Sequence, residues 1–283
     1  CASAQPISER SRLRVNVSNL DSSCAGRDVV VSVVVTTFNR VGLLRQTIES
    51  ILSQTFRDFE LVVIDNESED GTLEYLRDLD PGRVRSFQNR NYGVIAANRN
   101  LGISLSRGKY VAFCDDDDLW LPDKLDKQVA ILEQSPGVAL CYSNAELFRD
   151  GEILRRKMVR WRVRSHFFRR LLMGNFIPNS SVVVRRSVFD ELGLLTTNPK
   201  LREDYEMWLR IARKYELAYI DEPLIRYRVH GLNIAGNRAS ETLRAMRTVR
   251  SVWARLDLPA ALVLPSIAFQ YLKYLAYLAI GHK

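Results

Sequence analysis

Apolar runs and amphipathic stretches alternate along residues 29–143. The run VVVSVVV at 29–35 is rich in β-branched residues, which is typical of a strand covered on both faces. Helical spacing then places the apolar side chains of residues 41–54 on one face. Further strands are predicted at 59–64, 83–88, 109–114 and 138–143, and further helices at 70–79, 93–106 and 122–134. This alternation predicts an α/β fold with a doubly wound, mostly parallel sheet flanked by helices.

The second half of the chain is less regular. Residues 180–189 are predicted to form a strand that runs into a helix, and 203–215 an amphipathic helix. Residues 218–230 are predicted as two short extended pieces broken at Pro223. A helical pattern follows to residue 256.

The segment 258–280 is apolar except for Gln270 and Lys273 and contains Pro259 and Pro265. A spanning helix needs about 20 apolar residues, and this run reaches that length only by including the polar ones. Its aromatic-rich pattern also fits a helix that lies at a membrane interface or packs on a partner. A helix buried within the same chain is the third interpretation.

Lys and Arg outnumber Asp and Glu by 41 to 33, which gives a net charge of +8. Such a charge favours phosphates, nucleic acid or an anionic membrane surface as ligands. The basic residues are concentrated in RRKMVRWRVRSHFFRR at 155–170, where aromatic residues interleave with them. This block fits nucleic acid, lipid headgroups or a solvated basic face.

Cysteine spacing argues against a metal–thiolate site, since the four cysteines form no CxxC pair. Cys114 and Cys141 lie within apolar runs and are predicted to be small buried side chains, which fits a reducing compartment. Residues 1–27 are polar and unpatterned, so we expect a flexible leader there.

Polar segments follow three of the predicted strands. They are TTFNR at 36–40, DNESEDGT at 65–72 and DDDD at 115–118. Ligands of doubly wound sheets bind at the carboxyl ends of the strands, so we expect these segments to share one rim.

The aspartate run has two interpretations, a solvated acidic loop and a cation site. Residues two apart in an extended chain point the same way, so Asp115 and Asp117 can address one ligand while Asp116 faces elsewhere. Hard oxygen ligands suit Mg²⁺ or Mn²⁺, whose coordination shell is commonly completed by substrate phosphates. The cation-site interpretation therefore implies a diphosphate substrate.

Five segments in order resemble the family 2 glycosyltransferases of the GT-A fold. These are VSVVVTTFNR, SILSQTFRDFELVVIDNESEDGT, NYGVIAANRNLGI, GKYVAFCDDDDLW and EDYEMWLR, and the resemblance covers roughly residues 31–230. It implies an inverting enzyme that uses a nucleotide-activated sugar. It also implies a GT-A domain at 28–235, followed by a helical extension at 236–283.

The resemblance assigns Thr36 and Phe38 to the nucleotide base, and an aromatic ring suits stacking on a heterocycle. Asp65 and Asn66 match positions that contact base and ribose, although Asx residues also favour turns. Asn91 matches a position near the nucleotide-sugar.

Arg99 also matches a position near the nucleotide-sugar, although a helix-surface cation has the same pattern. Asp115 and Asp117 match the DxD motif. Asp115 and Asp116 are assigned to the nucleotide-sugar, and Asp117 with Asp115 to the metal. His230 matches a basic position that can close over the diphosphate or touch the metal, although a single histidine is more often structural.

Asp204, in EDYEMWLR, matches the catalytic base of the family. Inversion in one displacement needs one carboxylate to take the proton of the acceptor hydroxyl. An aspartate at a helix start is also a routine cap. The RW signature of processive synthases is absent after Asp204, which favours limited sugar addition.

The sequence thus predicts a metal-assisted, inverting glycosyltransferase of surface glycan assembly, with Mn²⁺ or Mg²⁺ and a UDP- or dTDP-sugar as donor. A glycan or lipid-linked acceptor, peripheral membrane association and a cytoplasmic location at the inner membrane face are expected. An oligomer is compatible with the sequence, and nucleic acid is not the expected partner. One alternative is a sugar-phosphate nucleotidylyltransferase. That class carries a Gly-rich loop after its first strand, and the segment TTFNRVG is not such a loop. The other alternative is a non-catalytic binding module.

Overall fold

The computed structural model describes residues 29–158, 166–229 and 238–281. The strands in these ranges are Val31–Thr37 (β1), Phe59–Asp65 (β2), Val84–Gln88 (β3), Tyr110–Asp115 (β4), Leu119–Trp120 (β5), Val138–Arg149 (β6), Glu152–Arg155 (β7), Val183–Arg185 (β8) and Glu216–Arg228 (β9). The helices are Val41–Leu52 (α1), Thr72–Arg77 (α2), Ile95–Leu105 (α3), Lys124–Gln134 (α4), Phe167–Met173 (α5), Ser187–Leu192 (α6), Glu203–Lys214 (α7), Arg238–Leu256 (α8) and Ala260–Gly281 (α9).

The described strands form one sheet in the order β3-β2-β1-β4-β8-β6-β9-β5, with β7 paired to β6. Strands β3, β2, β1 and β4 are parallel, whereas β8 runs antiparallel to both β4 and β6. The mostly parallel α/β sheet flanked by helices confirms the predicted fold class. Antiparallel β8 lies within the sheet, between the parallel group β3-β2-β1-β4 and the group β6-β9-β5.

Strand β9 differs from its prediction, because residues 216–228 form one continuous strand rather than two pieces. It pairs in parallel with β6 along both of their lengths, and the register shifts where Asn144 faces Pro223. A proline cannot donate to the ladder, so the irregularity absorbs it without ending the strand.

Two apolar layers cover the sheet. The valines of β1 alternate between them: Val33 and Val35 pack with α1 and α4, whereas Val34 packs with α3 and α7. Helix α3 comes close to the sheet at Gly102, where an added Cβ would lie 2.3 Å from a methyl carbon of Val34. This close packing holds the start of α3, and with it Arg99, against the end of the sheet.

Lys124, the first residue of α4, is an ionisable side chain inside the apolar layer that α1 and α4 form on the sheet. It is fully buried, and its Nζ has no hydrogen-bond partner among the described residues but lies 3.9 Å from the centre of the Trp120 ring. Burial lowers the pKa of Lys124 to about 7, because a charged ammonium is poorly solvated there.

This buried lysine predicts a pH-dependent stability. The unfolded chain holds the proton up to its ordinary pKa of 10.5 and the folded chain only to about 7, so the folded state gains stability as pH rises between these values. Lys124→Met should be more stable than the wild type at pH 7. Between pH 7 and pH 9 the free energy of unfolding of the wild type should rise by about 2 kcal/mol more than that of the variant. Urea unfolding at the two pH values measures this, with the exposed Lys200→Met as control. Parallel behaviour of Lys124→Met and wild type would contradict the prediction.

Candidate active site

The polar side chains predicted to share one rim do lie at one edge of the sheet, because the register of the strands aligns them there. Thr36 of β1 is level with Asp115 of β4, and Thr37 of β1 is level with Asp65 of β2. The three strands are parallel, so their carboxyl ends bring these side chains to one edge of the sheet.

A cleft of about 280 Å³ opens at this edge. Its walls include six residues predicted from the sequence, namely Thr36, Arg99, Asp115, Asp116, Asp117 and Asp204. The aspartate run and the candidate base, some ninety positions apart in the chain, therefore face the same space.

The aspartates do not alternate as an extended chain would, because β4 ends at Asp115 and the next two residues form a turn. Asp116 Oδ1 and Asp117 Oδ2 instead converge on one atom, Nη1 of Arg40, at 3.1 Å each. Thr37 Oγ1 donates to the other oxygen of Asp116 at 2.8 Å. The expectation that Asp116 faces away from Asp117 is therefore wrong.

Burial raises the pKa of Asp116 to about 6, since the Arg40 charge and the Thr37 hydrogen bond offset the lost solvation only in part. Asp118 is completely buried and accepts hydrogen bonds from the Arg228 backbone N–H and the Ser180 hydroxyl. Burial raises the pKa of Asp118 well above its usual range. This fourth aspartate holds the turn in place and does not line the cleft.

Asp115 belongs to a second ionic group. Arg99 donates to Asp115 Oδ1 through Nη2 and to Glu203 Oε1 through Nη1, both at 2.6 Å. Burial alone would lower the pKa of Arg99, but the two carboxylates raise it above its ordinary value. Asn179 Nδ2 adds a hydrogen bond to Asp115 at 2.9 Å. Arg99 is thus a buried tie between α3, β4 and the start of α7, not a helix-surface cation.

Asp204 lies next to Glu203 in the first turn of α7, which carries three acidic residues. Asp204 makes no N-cap hydrogen bond; Asn175 Nδ2 donates to its Oδ2 at 3.0 Å. Asn175 belongs to the loop between α5 and β8, which also supplies Asn179. This loop therefore orients a carboxylate on each side of the cleft.

Of the residues predicted to hold the base and ribose, Thr36 lines the cleft, whereas Phe38, Asp65 and Asn66 are not among its lining residues. Asp65 accepts from the backbone N–H and hydroxyl of Ser68, three residues on, a local side-chain contact of the kind that stabilises turns. Asn66 Oδ1 accepts from the Asn91 backbone N–H at 2.6 Å. Phe38 is 52% exposed, so its ring is available for stacking.

Sequence reasoning did not single out several residues of the cleft: Arg40, Asn175, Asn179, Arg202, Glu241 and Arg244. Arg40 lies in the quoted TTFNR segment, and an arginine beside a predicted acidic cluster was a usable signal. Glu241 and Arg244 come from α8, which no local pattern connects to the site. They pair with each other at 3.0 Å, and Glu241 lies 3.6 Å from Arg202.

Helix α9 is attached to the last turn of α5, just before the loop that carries Asn175. The Ser266 hydroxyl and Gln270 Nε2 both donate to the backbone carbonyl of Leu172, the latter at 2.8 Å. The Tyr205 hydroxyl, from α7, donates to the neighbouring carbonyl of Leu171. The C-terminal helix thus contacts the residue three positions before Asn175.

Three predicted features lie outside the described residues: the leader at 1–27, His230, and residues 159–165 of the basic block. The exposed Arg169 and Arg170 of that block lie on α5, which packs against α9.

The aspartate turn suits a divalent cation. Two carboxylate oxygens converge on one positively charged nitrogen, which is the arrangement that such an ion would also take. Within the described residues no three His, Cys, Asp or Glu side chains group as a metal shell. Mg²⁺ and related ions, however, commonly use one or two carboxylates together with substrate phosphates and water. Asp116 and Asp117 would supply the protein ligands of such an ion.

The sequence model described as glycosyl transferase family 2 matches residues 32–193. The chain belongs to this family.

A glycosyltransferase of Rickettsia felis, whose function is uncharacterised, is 32% identical over 72% of this chain, which spans only 34% of that protein. WfgD of Escherichia coli, named a UDP-Glc:α-D-GlcNAc-diphosphoundecaprenol β-1,3-glucosyltransferase, is 25% identical over 77% of this chain and 84% of its own. Its counterpart WfaP is 26% identical over 79% of this chain and 86% of its own.

Solved GT-A structures share the fold. TarS of S. aureus (residues 1–349) matches with a TM-score of 0.65 at 17% identity, over 86% of this chain and 70% of that one. A mannosyltransferase of Pyrobaculum calidifontis, in complex with GDP-Man and Mn²⁺, matches with a TM-score of 0.62 at 19% identity, over 92% and 81% of the chains.

The Arg99 tie predicts a large loss of stability on removal. Arg99→Met leaves the partly buried Asp115 and Glu203 without their shared cation, so the free energy of unfolding should fall by about 3 kcal/mol, the lower end of the range for buried pairs. Arg90→Met is the matched control, since Arg90 is 64% exposed and 3.8 Å from Glu67, and it should change stability by less than about 1 kcal/mol. Urea denaturation of both variants measures the difference. Equal losses in the two variants would show that Arg99 stabilises the fold no more than an exposed arginine does.

Proposed function

We propose that the protein is a metal-assisted, inverting glycosyltransferase that moves a sugar from a nucleoside diphosphate sugar to the hydroxyl of a lipid-linked acceptor. The observation that carries the proposal is the cleft that Asp204 shares with the aspartate turn at 115–117. A carboxylate that faces a cation site across a small cleft fits a single displacement at a sugar carbon between them.

Each group has a place in this scheme. A bound Mn²⁺ or Mg²⁺ would neutralise charge on the departing diphosphate. Thr36 and the exposed Phe38 ring would hold the base at the end of β1. Asp204 would accept the proton of the acceptor hydroxyl, with Asn175 fixing the plane of its carboxylate. One carboxylate base and no protein nucleophile correspond to inversion.

The donor and acceptor classes are supported by the relatives. WfgD and WfaP are named as enzymes that use UDP-Glc and a diphosphoundecaprenol-linked sugar, and TarS has been solved with UDP and with UDP-GlcNAc. A UDP-sugar is therefore the first donor to test, followed by dTDP-sugars. We propose limited rather than processive addition, because no RW motif follows Asp204.

The proposal predicts that Asp204→Asn lowers sugar transfer at least about a hundredfold, since a general base contributes roughly 10²–10⁴ to rate. Nucleotide binding should persist, because Asp204 lies on the acceptor side. Transfer is measured with UDP-, dTDP- and GDP-sugars and diphosphate-linked GlcNAc acceptors in the presence of Mn²⁺, and UDP binding by calorimetry.

Asp190→Asn, an exposed aspartate on α6, is the matched control and should retain transfer. Full activity in Asp204→Asn would refute the assigned base. Nucleotide binding without transfer to any acceptor by the wild type would favour a binding module instead.

We further propose that the protein acts at the cytoplasmic face of a membrane, with α9 lying on the lipid. Among described residues, one stretch, Ala260–Leu278, has the length and composition to cross a membrane, and only 17% of it is buried in the protein. Its polar Ser266 and Gln270 face inward, whereas Leu264, Phe269, Leu272 and Leu275 are exposed.

Polar residues face the protein and apolar residues face outward, the reverse of a soluble surface helix. This pattern favours a helix that contacts the protein with one face and lipid with the other. The exposed arginines of neighbouring α5 add attraction to anionic headgroups.

Vesicle flotation tests the membrane contact. Wild type should float with vesicles containing phosphatidylglycerol, and Leu272→Glu with Leu275→Glu should remain at the bottom of the gradient, because charged groups replace the apolar face. Ile153→Glu with Leu154→Glu, at exposed apolar positions of β7, is the matched control and should float. A wild type that stays in the soluble fraction, or a helix variant that still floats, would overturn this part of the proposal.

A further inference from the structure

Arg40 occupies the point where the aspartate turn would hold a cation. Its Nη1 is 3.1 Å from an oxygen of Asp116 and 3.1 Å from an oxygen of Asp117. Both aspartates are more than nine-tenths buried. Their charges need a counter-ion whether or not a metal is present, and in this arrangement the guanidinium supplies it.

Arginine and metal cannot hold these oxygens together. Mg²⁺ binds carboxylate oxygens at about 2.0–2.1 Å, so an ion shared by the same two oxygens would lie where Nη1 now lies. The two positive charges would also repel each other at contact distance. Metal entry therefore requires the guanidinium to leave.

The backbone around Arg40 restricts that movement to the side chain. Asn39, in the left-handed region with φ 50°, receives a hydrogen bond from the Glu69 N–H at its Oδ1 and donates its own N–H to Ser68. The Val41 N–H donates to Asp70 at 2.8 Å. Fixed on both sides, Arg40 keeps its Cα in place while its partly exposed side chain can swing within the cleft.

We propose that Arg40 is a built-in counter-ion that occupies the cation site in the empty enzyme and moves to the donor diphosphate when metal and nucleotide bind together. The inference rests on the proposed metal-assisted transfer. Arg40 lines the same cleft as the aspartates, and a guanidinium binds phosphate oxygens in a bidentate manner. Metal alone must displace the arginine without giving it a new partner, whereas metal with nucleotide provides one.

Mn²⁺ binding is measured, with and without UDP, from the electron paramagnetic resonance signal of the free ion. Without UDP, Arg40→Gln should bind Mn²⁺ at least about tenfold more tightly than wild type, because no resident cation competes for the site. With saturating UDP the difference should disappear or reverse, since the variant lacks the diphosphate contact. Arg45→Gln, which removes the same charge from an exposed position on α1, should match wild type throughout.

Arg40→Lys guards against misfolding of the first variant. The lysine stem is shorter and holds its ammonium short of the point where Nη1 contacts both carboxylates, so Mn²⁺ affinity without UDP should rise by about threefold. Wild-type Mn²⁺ affinity in both Arg40 variants would overturn this inference and leave the proposed function standing. Failure of every form to bind Mn²⁺, even with UDP, would overturn the metal requirement and the inference together.

Discussion

Repulsion among carboxylates at the carboxyl edge of the sheet is the constraint to which the rest of the site is fitted. Six acidic residues line the cleft with four arginines, an excess of two negative charges, which equals the charge of one divalent cation. Arg99 and Arg40 each bridge two of the acids. Because these groups are largely buried, removal of one partner leaves a charge that water cannot solvate.

The same constraint explains why distant parts of the chain meet here. Arg99 comes from a helix packed closely on β1, Glu203 and Asp204 from the start of α7, and Asn175 from the loop before β8. Helix α8 adds Glu241 and Arg244. The arginines and Asn175 supply the positive charge and the hydrogen-bond donor that the carboxylates lack among themselves, whereas the glutamates and Asp204 add further negative charge. The start of α7 and helix α8 therefore form part of the wall of the site.

Periodicity was sufficient to predict the first half of the fold, since continuous β-branched runs and one-sided helices have few other interpretations. It was insufficient at 216–228, where Pro223 indicated a break but pairing with β6 carried the strand past it. The aspartate run was visible in the sequence, but its geometry was not, because the chain turns after Asp115 and the side chains cease to alternate. Glu241 and Arg244 could not be assigned, since their role depends on how α8 packs and not on any local pattern.

The bond between α9 and the Leu172 carbonyl has a consequence for where this protein can be divided. The segment that matches the family ends at residue 193, before Arg202, Asp204 and the whole of α8. A polypeptide trimmed to that boundary would keep the acidic turn and discard the proposed base, Asp204. It would also remove two donors from a buried carbonyl just before the loop that carries Asn175. The functional unit that we propose is therefore longer than the region that the family model matches.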